Sequence, residues 1–277
     1  MSIIEAIIFG IVQGITEFLP ISSTAHIIIT QMVFNYQFPG LSFEIFLHLA
    51  SVLAVVIYFR RDLIEVIVGF FQYFTNKSKE NRTQFFFAIY IVVATGITGV
   101  LGMLLEDSIG ESLKTPAVIA VSLTITGIFL IIIERIVRYG NRKEDEMTFI
   151  DSMIVGLGQT LAVFPGISRS GATLITALFI GLNRETAVRY SFLLAIPVIL
   201  GSTVLAIGDF TQGSLVADIG IVPLIIAFIV TFIFSWIGIV WLIGFLKKSK
   251  LIYFAIYCFV AAIFVYFYLS PDTIMEV

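Results

Sequence analysis

Two short stretches hold residues whose types and spacing could do chemistry. The first reads Gln13-Gly-Ile-Thr-Glu17-Phe-Leu-Pro20-Ile-Ser22-Ser23-Thr24-Ala-His26, and the second Phe164-Pro165-Gly166-Ile-Ser168-Arg169-Ser170-Gly171-Ala-Thr173. Gln13 and Glu17 are four residues apart and share a helix face. Pro20 ends that helix, because the residue before a proline avoids the α region. Ser22, Ser23 and Thr24 then open a second helix, where hydroxyls cap orphan N–H groups, and His26 falls in its first turn. In the second stretch Pro165-Gly166 makes the break, and Ser168, Arg169 and Ser170 lie at another helix N-terminus. Two helix N-termini aimed at one cavity form an anion site, and the planar fork of Arg169 suits phosphate oxygens. Beside them stand a carboxylate, an imidazole and several hydroxyls. The set suits phosphoryl transfer: donors for the phosphate, a base or metal ligand in Glu17, and a hydroxyl nucleophile.

Each residue also has a plainer reading. The serines and Thr24 could be caps, Glu17 and Arg169 a structural ion pair, and His26 a satisfied polar side chain. The cost of charge inside a membrane favours function for Glu17 and Arg169. Glu44 and His48 are another same-face pair. They either support the site from behind or make a polar contact between helices.

The elements that must position these residues are membrane helices. Hydrophobic residues make up 59% of the 277 residues and charged residues 13%, with 27 Phe. A soluble protein could not hide that much apolar surface. Disorder is excluded by the apolar composition, an internal disulfide by the single cysteine, Cys258, and nucleic-acid binding by a net charge of −3. The apolar runs are long and unbroken, unlike the alternation of a β-barrel. The first run carries Glu5 and no preceding Lys or Arg, so it does not read as a cleavable signal peptide.

Six stretches are long enough for full spans: about 41–59, 84–105, 115–134, 188–207, 219–245 and 250–269. Two others, 3–30 and 150–182, are interrupted and read as re-entrant helical hairpins, while 63–75 reads as a short helix near the cytoplasmic face. If the side of Arg60 and Arg61 is cytoplasmic, every Lys and Arg except Lys114 and Arg169 falls there. The opposite loops carry Glu106, Asp107, Glu111, Asp209, Asp218 and Asp272. That agreement requires the first hairpin to enter from outside and the second from inside. Irregular backbone at membrane depth must be buried in protein or line a wet cavity, so the breaks predict a cavity. A shift of 146 residues lays Gly10 to Gln13 on Gly156 to Gln159, and Ile21 to Thr24 on Ile167 to Ser170. The expectation is an all-α polytopic membrane protein: one transmembrane domain, 1–277, with an inverted-topology repeat, about 1–145 and 146–277. Glu134 and Asp151 fall near the cytoplasmic ends and read as interfacial, and the 84–90 Phe run as a lipid belt or a packing surface.

Taken together, the two motifs resemble those of the BacA/UppP family of undecaprenyl-diphosphate phosphatases. The resemblance extends to Phe43-Glu44, Leu49-Ala50-Ser51 and Tyr190 to Pro197. Gln13 stands where many members have Glu, which weakens a mechanism needing two carboxylates, and Ala25 where Gly is common. The resemblance implies hydrolysis of undecaprenyl diphosphate to the monophosphate and phosphate, recycling the lipid carrier of bacterial wall synthesis. It implies bacitracin resistance as well. It also implies a plasma-membrane location, with the cavity facing outside, and dependence on a divalent cation (Mg2+ or Ca2+) that Glu17 could help bind. The expected partners are the lipid substrate, whose tail lies between spans, the bilayer, and a second copy of the chain in a homodimer. Glu17, Ser23, His26 and Arg169 are then the catalytic candidates. Gln13, Ser22, Thr24, Gly166, Ser168, Ser170 and Thr173 are the substrate-binding ones. Ser23 attacks the terminal phosphorus, His26 or Glu17 takes its proton, and water clears the phosphoenzyme; His26 or water as direct nucleophile are the alternatives. A secondary transporter or lipid flippase remains a competing function, since it would share the repeat. The other class of lipid phosphatase, with a Lys-x6-Arg-Pro motif, does not match, as no Arg-Pro pair occurs.

Overall fold

The computed structural model describes residues 1–36, 42–109, 113, 115–135, 140–205, 214–248 and 250–269. Lys114, Arg138, Glu111, Asp209 and Asp272 lie outside the described residues, as do the side chains of Glu106, Asp107, Lys247 and Lys248. Among the described residues the chain is helical, with no strand.

The first hairpin is α1 (Ile3–Thr16) and α2 (Ser23–Val33). Then come α3 (Ser42–Tyr58), α4 (Arg60–Gln72), α5 (Lys79–Ile109) and α6 (Pro116–Arg135). The second hairpin is α7 (Phe149–Thr160), a 3-10 turn (Leu161–Val163) and α8 (Arg169–Phe179). It is followed by α9 (Arg184–Leu205), α10 (Ser214–Ile219), α11 (Ile221–Lys248) and α12 (Ile252–Tyr268). Capping boxes start both hairpins: Ser2 with Glu5 before α1, and Thr148 with Asp151 before α7. Helices α2 and α8 start and stop 146 residues apart, each capped by a serine, Ser22 and Ser168.

Among the described residues four helices are long and apolar enough to cross a membrane: Lys79–Leu105, Pro116–Arg135, Arg184–Leu205 and Ile221–Leu246. They coincide with four of the six expected spans. The other two, expected at 41–59 and 250–269, form helices of 17 residues each. The first of these bends by 74° at Phe59 into α4, where Arg60, Arg61 and Asp62 end its apolar run; counted as one span, that pair makes five. The hairpin helices α1, α2, α7 and α8 have 14, 11, 12 and 11 residues. At about 1.5 Å per residue none exceeds about 21 Å, too short for a hydrocarbon core of about 30 Å.

Packing is reciprocal between the halves. Helix α1 lies along α11, and α7 along α5; α3 meets α9, and α6 meets α12. Small residues allow the close approaches. A Cβ on Gly14 would sit 2.8 Å from the Thr231 carbonyl oxygen and 2.8 Å from the Ser235 nitrogen; one on Gly156 would sit 3.0 Å from the Ala94 carbonyl oxygen. On the second contact Thr98 Oγ1 donates to the Gly156 carbonyl (3.0 Å) and accepts from Gln159 Nε2 (2.8 Å).

Several basic residues expected as topology signals and anionic-lipid contacts also hold the helix ends together. Arg142 grips Asp151 with both arms, at 3.2 and 2.5 Å, and Arg184 reaches Glu134 at 3.4 Å. Arg189 pairs with Asp62 (2.8 Å), Glu65 (3.3 Å) and Glu144, and stacks over Phe87. The Phe run is a packing surface over much of its length: Phe85 stacks on Phe70 and Tyr73 of the α4 region, and buried Phe87 meets Tyr190.

Candidate active site

The site forms where the two helix breaks meet. Glu17 continues the α1 spiral, its N–H donating to the Gln13 carbonyl at 2.9 Å, so the two side chains stack one turn apart. Pro20 cannot extend the helix, and the chain reverses through Ser22, whose φ of 68° and ψ of 99° are costly for a residue with a Cβ, of the order of 1–3 kcal/mol. Its counterpart Ser168 has an ordinary extended geometry (φ −71°, ψ 120°). The turn before Ser168 uses Gly166 at φ 93°, where a Cβ would also come within 2.7 Å of Ser122 Cβ.

Broken backbone inside a membrane needs partners, and the first hairpin's come from the second hairpin and from α12. The Leu19 carbonyl accepts from Ser170 Oγ (3.0 Å) and Ser168 Oγ (3.4 Å), and the Pro20 carbonyl from the Cys258 thiol (3.8 Å).

Glu17 is the hub. It is 4% exposed. Its Oε2 accepts from Ser23 Oγ at 2.6 Å, Gln13 Nε2 at 2.8 Å and His48 Nε2 at 3.0 Å, while Oε1 accepts from Arg169 Nη2. A hydroxyl donating to a carboxylate held by two cationic or polarisable groups has the geometry of a nucleophile and its base. These groups border a cavity of about 160 Å³ that takes in Ser22, Ser23, Thr24, Ser168 and Arg169 from the hairpins, His48 from α3 and Ser202 from α9. Ala162, Ile167, Val198 and Ile199 supply apolar wall. The first two N–H groups of α2 and of α8 belong to Ser23, Thr24, Arg169 and Ser170. They have no intrahelical acceptor, so they remain available to an anion.

The expected residues divide accordingly. Glu17, Ser22, Ser23, Thr24, Ser168 and Arg169 line the cavity. Gln13 lies behind the carboxylate, fully buried and bonded to it. Gly166 shapes the turn, Ser170 spends its hydroxyl proton on Leu19, and Thr173 bonds back to the Arg169 and Ser170 carbonyls. His26 is in the first turn of α2 but does not line the cavity: Nδ1 lies 2.7 Å from the Ser22 carbonyl and Nε2 2.6 Å from the Tyr257 hydroxyl. Of the α3 pair, Glu44 accepts from Gln31 Nε2 (3.0 Å), an interhelical contact, whereas His48 touches Glu17 directly. Of the pair's two readings, support of the site fits His48 and an interhelical contact fits Glu44; Ser202 and Tyr257 were not visible in the sequence motifs. Pro197 inside α9 was the available signal for the α9 wall.

Glu17 does not fit a metal ligand as it stands. Its acceptor capacity of about four lone pairs meets four donors, and hard divalent cations need several oxygens. No group of three or more His, Cys, Asp or Glu able to hold a metal occurs among the described residues.

Long apolar helices around a buried polar site on two helix breaks define a multi-pass integral-membrane protein with a built-in reaction centre. The family model described as "Bacitracin resistance protein BacA" matches residues 6–264, and the chain belongs to that family. Among its relatives, "Undecaprenyl-diphosphatase 2" of Halalkalibacterium halodurans is 72% identical over 276 residues, covering 100% of this chain and 99% of the relative. "Undecaprenyl-diphosphatase 1" of Shouchella clausii is 62% identical over 268 residues, 97% of each chain. "Undecaprenyl-diphosphatase 3" of Bacillus anthracis is 40% identical over 261 residues, 94% of this chain and 96% of the relative.

Proposed function

We propose that the chain is an undecaprenyl-diphosphate phosphatase that releases inorganic phosphate, returns the monophosphate carrier to wall synthesis, and thereby confers bacitracin resistance. Full-length identity to proteins of that name supports the activity. The observation that carries the chemistry is the 2.6 Å bond from Ser23 Oγ to Glu17 Oε2 beside Arg169.

In this reading the terminal phosphate enters the cavity against the free arm of Arg169 and the amides of Ser23 and Thr24. Ser23 Oγ attacks the terminal phosphorus as Glu17 takes its proton. The bond from phosphorus to the bridging oxygen breaks, and the lipid monophosphate leaves with that oxygen and with the proton Glu17 had taken, so the carboxylate is restored. Glu17 then takes a proton from water, whose oxygen attacks the phosphoserine, and phosphate departs as Ser23 recovers its proton. Arg169 stabilises charge on the equatorial oxygens, and His48 holds Glu17 in place. A Mg2+ or Ca2+ ion would supply positive charge to the diphosphate without Glu17 as its ligand, because the Glu17 oxygens are saturated.

The membrane arrangement proposed with it has six spans and two re-entrant hairpins in an inverted repeat, with the cavity open to the outside of the plasma membrane. Support comes from the short hairpin helices, the 146-residue correspondence of their caps, and the sided Lys and Arg. The proposal includes a homodimer in which each protomer supplies its own groups around Glu17.

Purified protein in detergent, without any gradient, is expected to release phosphate from undecaprenyl diphosphate. A transporter or flippase with no hydrolytic activity would release none.

A further inference from the structure

His26 lies outside the cavity, yet it is held more tightly than packing alone requires. The Ser22 carbonyl can only accept, so the Nδ1 facing it at 2.7 Å carries the proton. In the neutral ring the lone pair is then on Nε2, where the Tyr257 hydroxyl donates at 2.6 Å. The two rings stack, 14° from parallel with centroids 5.5 Å apart. Ser22 is the strained residue of the turn, and the next residue is Ser23. The same turn of α12 also backs the break through Cys258 and the Pro20 carbonyl. The second hairpin has neither the strain nor the clamp: Ser168 is relaxed, and position 172, the counterpart of His26, is Ala.

We propose that Tyr257 is a positioning residue: it fixes the His26 tautomer, His26 holds the strained Ser22 carbonyl, and the turn so held sets Ser23 Oγ against Glu17. This rests on Ser23 as the nucleophile. Without the phenol, the ring can take the Nε2–H tautomer, which turns an Nδ1 lone pair toward the Ser22 oxygen and releases the turn. Tyr257 touches no reacting atom, and in the held tautomer neither His26 nitrogen is free to act as a base.

The test compares kcat and KM of detergent-solubilised Tyr257→Phe, His26→Asn and the double variant. Phe keeps the stacked ring, and Asn can still donate to the Ser22 carbonyl from near the Nδ1 position. Tyr257→Phe is expected to lower kcat about tenfold, the scale of a small misplacement of a reacting group, with KM within about twofold. In the His26→Asn background the same change should cost less than about twofold, because its effect runs through the ring. Wild-type kcat in Tyr257→Phe, a loss confined to KM, or full multiplication of the two losses would overturn the proposal. In nitrogen-15 NMR of histidine-labelled wild-type protein, with the His26 signals identified by their loss in His26→Asn, the Nδ1–H tautomer at His26 is expected, and Nε2–H would overturn it. Ser23→Ala, run alongside, separates the two readings. Retained turnover there sinks the serine mechanism, whereas lost turnover with a silent Tyr257→Phe sinks only the tyrosine assignment.

Discussion

The Glu17 carboxylate accepts from four side chains, and that crowding decides what each neighbour can do. Gln13, His48 and Arg169 hold it in place, and Ser23 is the donor that gives up its proton in the proposed reaction. Glu17→Gln leaves a group that can still face Ser23 but cannot take its proton. Turnover should fall by about 10²–10⁴, the usual worth of a general base, with substrate affinity changed far less. Steady-state kinetics of purified variant and wild type measure this. The Gln13–Glu17 pair was legible from four-residue spacing, and Arg169 from being a basic residue inside an apolar stretch. Which member of the α3 pair supports the site was not, because His48 meets Glu17 only through the packing of α3 against the hairpin. Glu44 shares its helix face but reaches Gln31 instead. His26 shows the converse: its place in the sequence was plain, but the partner that engages its Nε2, Tyr257, is 231 residues away.

The breaks and caps of the hairpins could be read from Pro20, Pro165-Gly166 and the serines, since these act on their own neighbours. Span lengths were less legible. Two stretches expected as full spans stop at 17 residues, one because a charged Arg-Arg-Asp run turns the chain by 74°. Nor did composition reveal which glycines matter. Gly14 lies against α11 backbone, whereas Gly96 on α5 has nothing within 4 Å of its would-be Cβ. Gly14→Ala must push α1 off α11 or displace Glu17, three residues on. It should lower the melting temperature by several degrees, with an overpacking cost of about 1–3 kcal/mol, and cut activity. Gly96→Ala should leave both within error or raise stability slightly through helix propensity. Thermal unfolding of the two variants in one detergent makes the comparison.

Across the whole molecule, the reciprocal contacts of α1 with α11 and α7 with α5 bring the two breaks together, so a site split over residues 13–26 and 164–173 closes on one cavity. The charge pattern gave a sidedness to the chain, but not the second use of its basic residues. Arg184 and Arg189 tie helix ends to acids 50 and 45 residues away, which depends on folded proximity. If the cavity opens outward, single cysteines at positions 22 and 168, in Cys258→Ala protein, should both react with an impermeant thiol reagent added outside intact cells. Labelling only from the cytoplasmic side of inverted vesicles would reverse the proposed access.

The proposed mechanism depends most directly on Ser23. Turnover of undecaprenyl diphosphate by purified, monodisperse Ser23→Ala tests it. Loss of about 10³-fold or more in kcat is the predicted result, since nothing else in the cavity replaces a hydroxyl bonded to Glu17. Turnover near that of the wild type would contradict the mechanism.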